Sequence, residues 1–181
     1  MEIQQILQAA FEQAKQEPVT GKTDQERNRQ RSIHWVESLA EEFRKKYPRE
    51  KNYRVFSKYH DQNKDFGLNE LLYDISVCKI NYIESPKGKK LAYIEKAIWL
   101  VESEMAKDTQ QLVYDFNKLL IGNSENKLFV GPLTSHNEDI LELFNKIAVN
   151  CKGDVWLALV PHPGEWENDS NFNLSLFKLK P

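Results

Sequence analysis

Leu72-Tyr73-Asp74-Ile75-Ser76-Val77-Cys78-Lys79-Ile80-Asn81-Tyr82-Ile83 and Leu91-Ala92-Tyr93-Ile94-Glu95-Lys96-Ala97-Ile98-Trp99-Leu100-Val101 are two long runs dense in apolar, β-branched and aromatic residues. Such density predicts strands largely covered on both faces. Between them Pro86, Gly88 and the lysines Lys87, Lys89 and Lys90 break the pattern and supply a polar turn. Two runs around a short turn pair antiparallel, so a β-hairpin is expected. The second run closes on Glu102-Ser103-Glu104. Pairing Ile83 with Leu91 and counting back sets Asp74 opposite Leu100, one side-chain step from Glu102, a gap that a bulge closes. Glu102 and Glu104 share a face, roughly 6–7 Å apart, with the neighbouring strand about 4.8 Å away. Carboxylates converging in this way are a means of holding divalent cations for phosphodiester cleavage.

Working outward, residues 70–131 resemble the PD-(D/E)XK nuclease superfamily. Its pattern is a metal-binding Asp on one strand, then an acidic residue, a spacer and a lysine on the next. Asp74 and Glu102-Ser103-Glu104 carry the resemblance. Tyr73 stands where the family often has proline, and Glu104 where it usually has lysine, although one branch of restriction endonucleases carries glutamate there. The resemblance implies a restriction endonuclease-like core of strand-strand-strand-helix-strand order. It further implies Mg²⁺ or Mn²⁺ held by Asp74 and Glu102, with the Ser103 carbonyl and Glu70 as an outer ligand. Glu104 would then orient or deprotonate the attacking water. Lys118 lies on the helix expected after the second strand, where the lysine of some family members has moved. Function on this reading is metal-dependent cleavage of nucleic acid, DNA first. The alternatives are a non-catalytic α/β binding or interaction module of the same fold, and a plain solvated hairpin.

Composition sets the frame. A chain of 181 residues with 40% apolar content and four Trp fits one domain with a sizeable core. The formal net charge of −2 gives no global sign of a polyanion partner. Cys78 and Cys151 show neither metal-ligand spacing nor a disulfide framework, so a reducing compartment is expected. No signal peptide or run long enough to span a bilayer is apparent, and a cytoplasmic protein without membrane contact is the expectation.

In chain order, Ile3, Ile6, Leu7, Ala10, Phe11 and Ala14 predict an amphipathic helix over 1–17, open to being an appendage to a core at about 24–160. Thr23 or Asp24 caps a second helix that runs to Lys46 with Ile33, Val36, Leu39, Ala40 and Phe43 as its stripe. A short strand is expected over 53–59 and a polar loop over 60–65. The Asp61, Asn63 and Asp65 spacing is not a calcium loop, because Gly67 falls one place late and no closing glutamate follows. A helix over 108–120 ends at Gly122, a buried strand covers 127–131, and Ser135 opens a further helix. Residues 154–160 form another core strand and 172–179 an edge strand, within a tail (161–181) able to pair with a second copy as a homodimer. The fold class is therefore α/β, a mixed sheet with an antiparallel hairpin, flanked by helices.

Residues 22–58 hold eleven Lys or Arg against six Asp or Glu. An ordinary polar helix face is one explanation, and a phosphate-neutralising surface the other. On the second, Arg27 and Arg31, one helical turn apart, join Lys87, Lys89 and Lys90 in binding nucleic acid. His34, Trp35 and His162 read as packing or cap residues. No glycine-rich phosphate loop, nucleophile elbow or internal repeat is present.

Overall fold

The structure, a computed structural model, describes residues 2–59, 63, 65–166 and 173–179. Helices α1 (Glu2–Gln16) and α2 (Asp24–Lys46) precede the meander β1 (Tyr53–Ser57), β2 (Ile75–Glu84) and β3 (Lys90–Ser103). Then come α3 (Thr109–Ile121), β4 (Ser124–Pro132), α4 (Asn137–Ala148), β5 (Asp154–Val160) and β6 (Ser175–Leu179). The six strands form one open mixed sheet in sequence order, with β3, β4 and β5 parallel and the other neighbours antiparallel. The α/β class and the hairpin are as expected from the sequence.

Alternation along the central strands divides the core. Val101, Leu128, Val130, Ala158 and Val160 face α1 and α2, where Leu7, Phe11, Trp35, Leu39 and Phe43 are buried. Leu100, Phe129, Leu157 and Leu159 face α3 and α4, where Phe116, Phe129 and Phe144 make a three-ring cluster with centroids 4.6–5.5 Å apart. The sheet is thus sandwiched between two helical layers, and α1 contributes to the same core as α2. A capping box starts α2: Thr23 Oγ1 accepts from Glu26 N–H, and Glu26 Oε2 accepts from Thr23 N–H.

The register of the hairpin corrects one expectation. Ile83 does pair with Leu91, but Ile75 pairs with Val101 and Ser76 with Leu100. Glu95 and Ile98 are each passed over by β2, two bulges in β3 that shift the ladder by two residues. Asp74 therefore stands not opposite Leu100 but, one step beyond Ile75, alongside Glu102. Because the total shift is even, side chains keep their faces.

Burial corrects another. The inner halves of β2 and β3 are covered, whereas the outer halves are exposed. β1 pairs with β2 only as far as Lys79, and β4 with β3 only from Ala97. Residues 80–96 thus extend past the paired part of the neighbouring strands as a two-stranded arm, whose base at Ile80 is still buried beside Phe56 and Cys78. The strand also begins at Ile75, so Leu72, Tyr73 and Asp74 belong to the irregular run before it.

Gly122 ends α3 as expected, yet with φ of −76°, so no left-handed residue is needed there. Space is what requires glycine: a Cβ would fall 2.5 Å from both Leu100 Cδ1 and Tyr73 Oη. The last helix opens at Asn137, two residues after Ser135, and β4 extends beyond the expected 127–131 at both ends. Most of the expected 60–65 loop, the polar stretch 167–171 and Phe172 lie outside the described residues. Among the described residues no helix is long and apolar enough to cross a membrane.

Candidate active site at the end of the hairpin

Glu102 sits at the C-terminal end of β3 and is 1% exposed. Its Oε2 accepts a hydrogen bond from Lys118 Nζ at 3.0 Å, while its Oε1 is buried with no hydrogen-bond partner. Lys118 projects from α3 and also meets Asp115 Oδ1 at 2.7 Å, one turn earlier on the same helix. Asp74 Oδ2 accepts from the Ser103 N–H at 2.9 Å, which fastens the start of β2 to the end of β3. Ser103 itself turns to the other face, where its Oγ accepts from Trp35 Nε1 at 3.1 Å. Glu104, two residues beyond Glu102, returns to the α3 face, its Oε1 accepting from Ala106 N–H at 2.6 Å. Its backbone N–H donates to Val130 O at 3.0 Å, carrying the parallel β3–β4 ladder one residue further.

Four carboxylates, Asp74, Glu102, Glu104 and Asp115, are thereby gathered; Lys118 bonds Glu102 and Asp115, and its charge acts on Asp74. The electrostatics follow from crowding and burial. Burial, and then the neighbouring Asp74 charge, push the Glu102 carboxyl up to about 8, with Lys118 pulling the other way. Asp74 is raised by burial against the opposing pull of the Ser103 N–H and Lys118, and Asp115 and Glu70 add to the rise. Glu104 is raised by burial and by the Asp115 carboxyl, to which it is hydrogen-bonded. Burial works against the Lys118 charge, but its bonds to Asp115 and Glu102 outweigh that and raise its pKa. The Tyr73 hydroxyl is raised by burial and by Glu102. Such a displaced set of acids is a mark of functional sites.

The chemistry of the donor set suits a hard divalent cation, since all the free acceptors are carboxylate oxygens and one of them, Glu102 Oε1, is buried without a partner. Among the described residues, no group of three His, Cys, Asp or Glu side chains is gathered as a ready-made ligand set. Lys118 takes the position of the compensating cation.

Of the residues singled out in the sequence, Asp74, Glu102, Glu104 and Lys118 are brought together. Glu70 is exposed in the run before β2, near enough for its charge to act on Asp74. Arg27 is occupied locally, donating to the Gly21 and Lys22 carbonyls and pairing with Asp24. Arg31 is buried and donates to the Pro163 carbonyl at 3.1 Å, so it lies inside the protein rather than on a phosphate-binding surface. Much of the remaining positive charge of 22–58 is also spent in ion pairs: Arg44 with Glu37 and Glu41, Lys45 with Glu42, Lys46 with Glu2, and Arg49 and Arg54 with Asp65. Lys87, Lys89 and Lys90 lie at the far tip of the arm, away from the cluster. His162 caps a short 3₁₀ turn, its Nδ1 accepting from Gly164 N–H at 3.0 Å. Sequence reasoning missed Asp115 and the buried Tyr73; the Asp115-x-x-Lys118 spacing was the available signal for the first.

A cavity of about 720 Å³ is beside the cluster rather than at it. Leu112, Leu133, Ile140 and Leu143 form its apolar lining, beyond the C-terminal end of β4, with Lys107–Glu165 and His136–Asp139 ion pairs at 3.4 and 3.5 Å among its lining residues. Leu112 is three residues ahead of Asp115 on α3, so cavity and cluster share one helix. Comparison with known proteins returns no matching family model, no matching curated protein and no matching solved structure.

Proposed function

We propose that the chain is a metal-dependent phosphodiesterase acting on nucleic acid, DNA first, with a restriction endonuclease-like core. The observation that carries this reading is the Glu102 carboxylate: buried, half unpartnered, and set beside Asp74 by two successive bulges in β3. The order β1, β2, β3, α3, β4 agrees with the core that the PD-(D/E)XK resemblance implies.

On this reading Asp74 and Glu102 would hold Mg²⁺ or Mn²⁺ with the Ser103 carbonyl, and Glu70 would lie outside them. The ion would supply neutralisation of phosphate charge and a more acidic water. The protein's own groups do the rest. The Ser103 N–H fixes the Asp74 carboxylate, and Lys118 holds Glu102 and offsets the charge of the cluster. Glu104, raised by burial and by the neighbouring Asp115 carboxyl, is the carboxylate that would take a proton from the attacking water. A second reading, a non-catalytic module of the same fold, is favoured by one feature: Lys118 and the Ala106 N–H already engage Glu102 and Glu104.

Calorimetric titration with Mn²⁺, beside a plasmid-nicking assay, tests the proposal on the wild type and on Asp74→Ala. Binding and nicking that both disappear in the variant support it. Absence of Mn²⁺ binding in the wild type would falsify it.

A further inference from the structure

The β2–β3 arm lies largely outside the core. At its base Ile80 is buried beside Phe56 and Cys78 and donates its N–H to Asn52 O at 2.8 Å, and Lys96 pairs with Glu125; farther out the two strands pair only with each other. Residues 80–96 carry Lys87, Lys89, Lys90 and Lys96 against Glu84 and Glu95, a surplus of +2 on a chain whose net charge is −2, so the remainder carries −4. The arm is thus a positive projection from an acidic body.

Its tip is a preset turn. Ser85 N–H donates to Lys89 O at 2.8 Å, Gly88 N–H to Ser85 O at 2.9 Å and Lys89 N–H to Ser85 Oγ at 3.0 Å, with Gly88 at φ +73°. The turn presents three lysines together. Lys90 lies over the Tyr82 ring, 4.4 Å from its centroid, and Lys87 and Lys89 extend into solvent. On one face of the ribbon the directly paired Ile83 and Leu91 stand next to Tyr93, exposed by 60%, 41% and 42%.

We infer that this arm is a ribbon that lies in the major groove of B-form DNA, its tip lysines on backbone phosphates about one helical turn from the carboxylate cluster. The inference rests on the phosphodiesterase reading and names the form of its substrate. A two-stranded ribbon fits the major groove of B-DNA, where its apolar side chains can meet thymine methyls, whereas the deep, narrow major groove of A-form RNA excludes side chains. β3 connects tip and cluster directly: twelve residues separate Lys90 from Glu102, roughly 40 Å at the rise of an extended strand. One turn of B-DNA is about 34–36 Å, close to the separation of the two ends of β3, so phosphates about a turn apart match tip and cluster. Charge decides against the pairing of two arms with each other, because it would bring like surpluses together.

The test uses fluorescence anisotropy with the full-length protein in chelator, on a mixed-sequence DNA duplex of roughly 30 base pairs, about three turns. The variant Lys87→Glu/Lys89→Glu/Lys90→Glu changes two exposed turn residues and the exposed first residue of β3. Its affinity is expected to fall at least about tenfold, with the log–log salt slope reduced by roughly two to three, as removal of three phosphate contacts requires. Mn²⁺ binding by calorimetry is expected to be unchanged. Unaltered duplex affinity and salt slope with Mn²⁺ binding intact would overturn the arm's role and leave the carboxylate reading standing. A change from dimer to monomer in sedimentation, with duplex affinity unaltered, would overturn it in favour of a second copy. A wild type that binds Mn²⁺ but no duplex also overturns it, and one that binds neither removes both readings.

Discussion

The Asp74 carboxylate and the Ser103 backbone N–H are joined at 2.9 Å, so a single hydrogen bond fastens the entrance of β2 to the exit of β3. Asp74 has two separable functions as a result: its charge belongs to the cluster and its oxygen to the backbone. Asp74→Asn keeps the acceptor and removes the charge. It is expected to lose Mn²⁺ binding while matching or exceeding the wild type in metal-free stability, because burial and the neighbouring acids disfavour the ionised form. Asp74→Ala loses the acceptor as well, and its melting temperature in chelator should be lower than that of Asp74→Asn, equivalent to about 1 kcal/mol. Equal melting temperatures for the two variants would show that Ser103 does not depend on Asp74.

The hairpin was legible because two β-branched, aromatic runs flank a Pro-Gly-Lys turn, and turn length alone gives the Ile83–Leu91 pairing. The bulges at Glu95 and Ile98 were not legible. Neither residue is a glycine or proline, and nothing local marks it as unpaired. Counting from the turn therefore erred by two residues, an even number, which preserved the face of Asp74 and improved its approach to Glu102. Arg31 shows the opposite case. Its spacing from Arg27 reads as a surface pair, but the turn at Pro163, 132 residues away, covers it. Lys118 was identified by its place on the helix, whereas its bond to Glu102 depends on where α3 packs across the sheet.

Glu102 makes the metal-free protein sensitive to alkali. Its carboxyl is at about 8 in the folded chain, against an ordinary 4.5. A raised carboxyl leaves its stability contribution fully present below about 4.5, and the contribution is lost as pH rises through about 8. The loss is on the order of a few kcal/mol, at about 1.4 kcal/mol per pH unit. Urea unfolding in chelator at pH 5, 7 and 9 should show the wild type weakening steadily, with Glu102→Gln much flatter and the more stable protein at pH 9. Parallel pH profiles for the two proteins would contradict this.

Gly122 links the end of α3 to the site. Adding a methyl group there meets Leu100 Cδ1 and Tyr73 Oη at 2.5 Å, closer than real carbon atoms approach, and Tyr73 is the residue next to Asp74. Gly122→Ala is therefore expected to cost roughly 1–3 kcal/mol by overpacking. It should also weaken Mn²⁺ binding, because Tyr73 must move and carries Asp74 with it. Thermal melting and Mn²⁺ calorimetry read the two effects separately, and a stability loss with unchanged Mn²⁺ affinity would limit the glycine to packing.

Lys127 is a buried cation that the cluster does not use. It lies on β4 with no exposed surface, its Nζ donating to the Lys152 carbonyl, and burial lowers its pKa while the Cys151 thiol opposes the shift. For a depressed lysine, stability is fully present above the unfolded value of 10.5 and is lost as pH falls through the folded value. Lys127→Met fills a similar volume without a charge, leaving the Lys152 carbonyl short of a partner at about 1 kcal/mol, less than the several kcal/mol that burying an ion costs. The variant should thus be more stable at pH 7 by roughly 1–2 kcal/mol, and the difference should narrow toward pH 10, because folded Lys127 gives up its proton at lower pH than the unfolded chain and wild-type stability therefore rises with pH there. Denaturant midpoints at the two pH values measure this directly; a variant less stable at pH 7 would mean that the carbonyl contact outweighs the cost of burial.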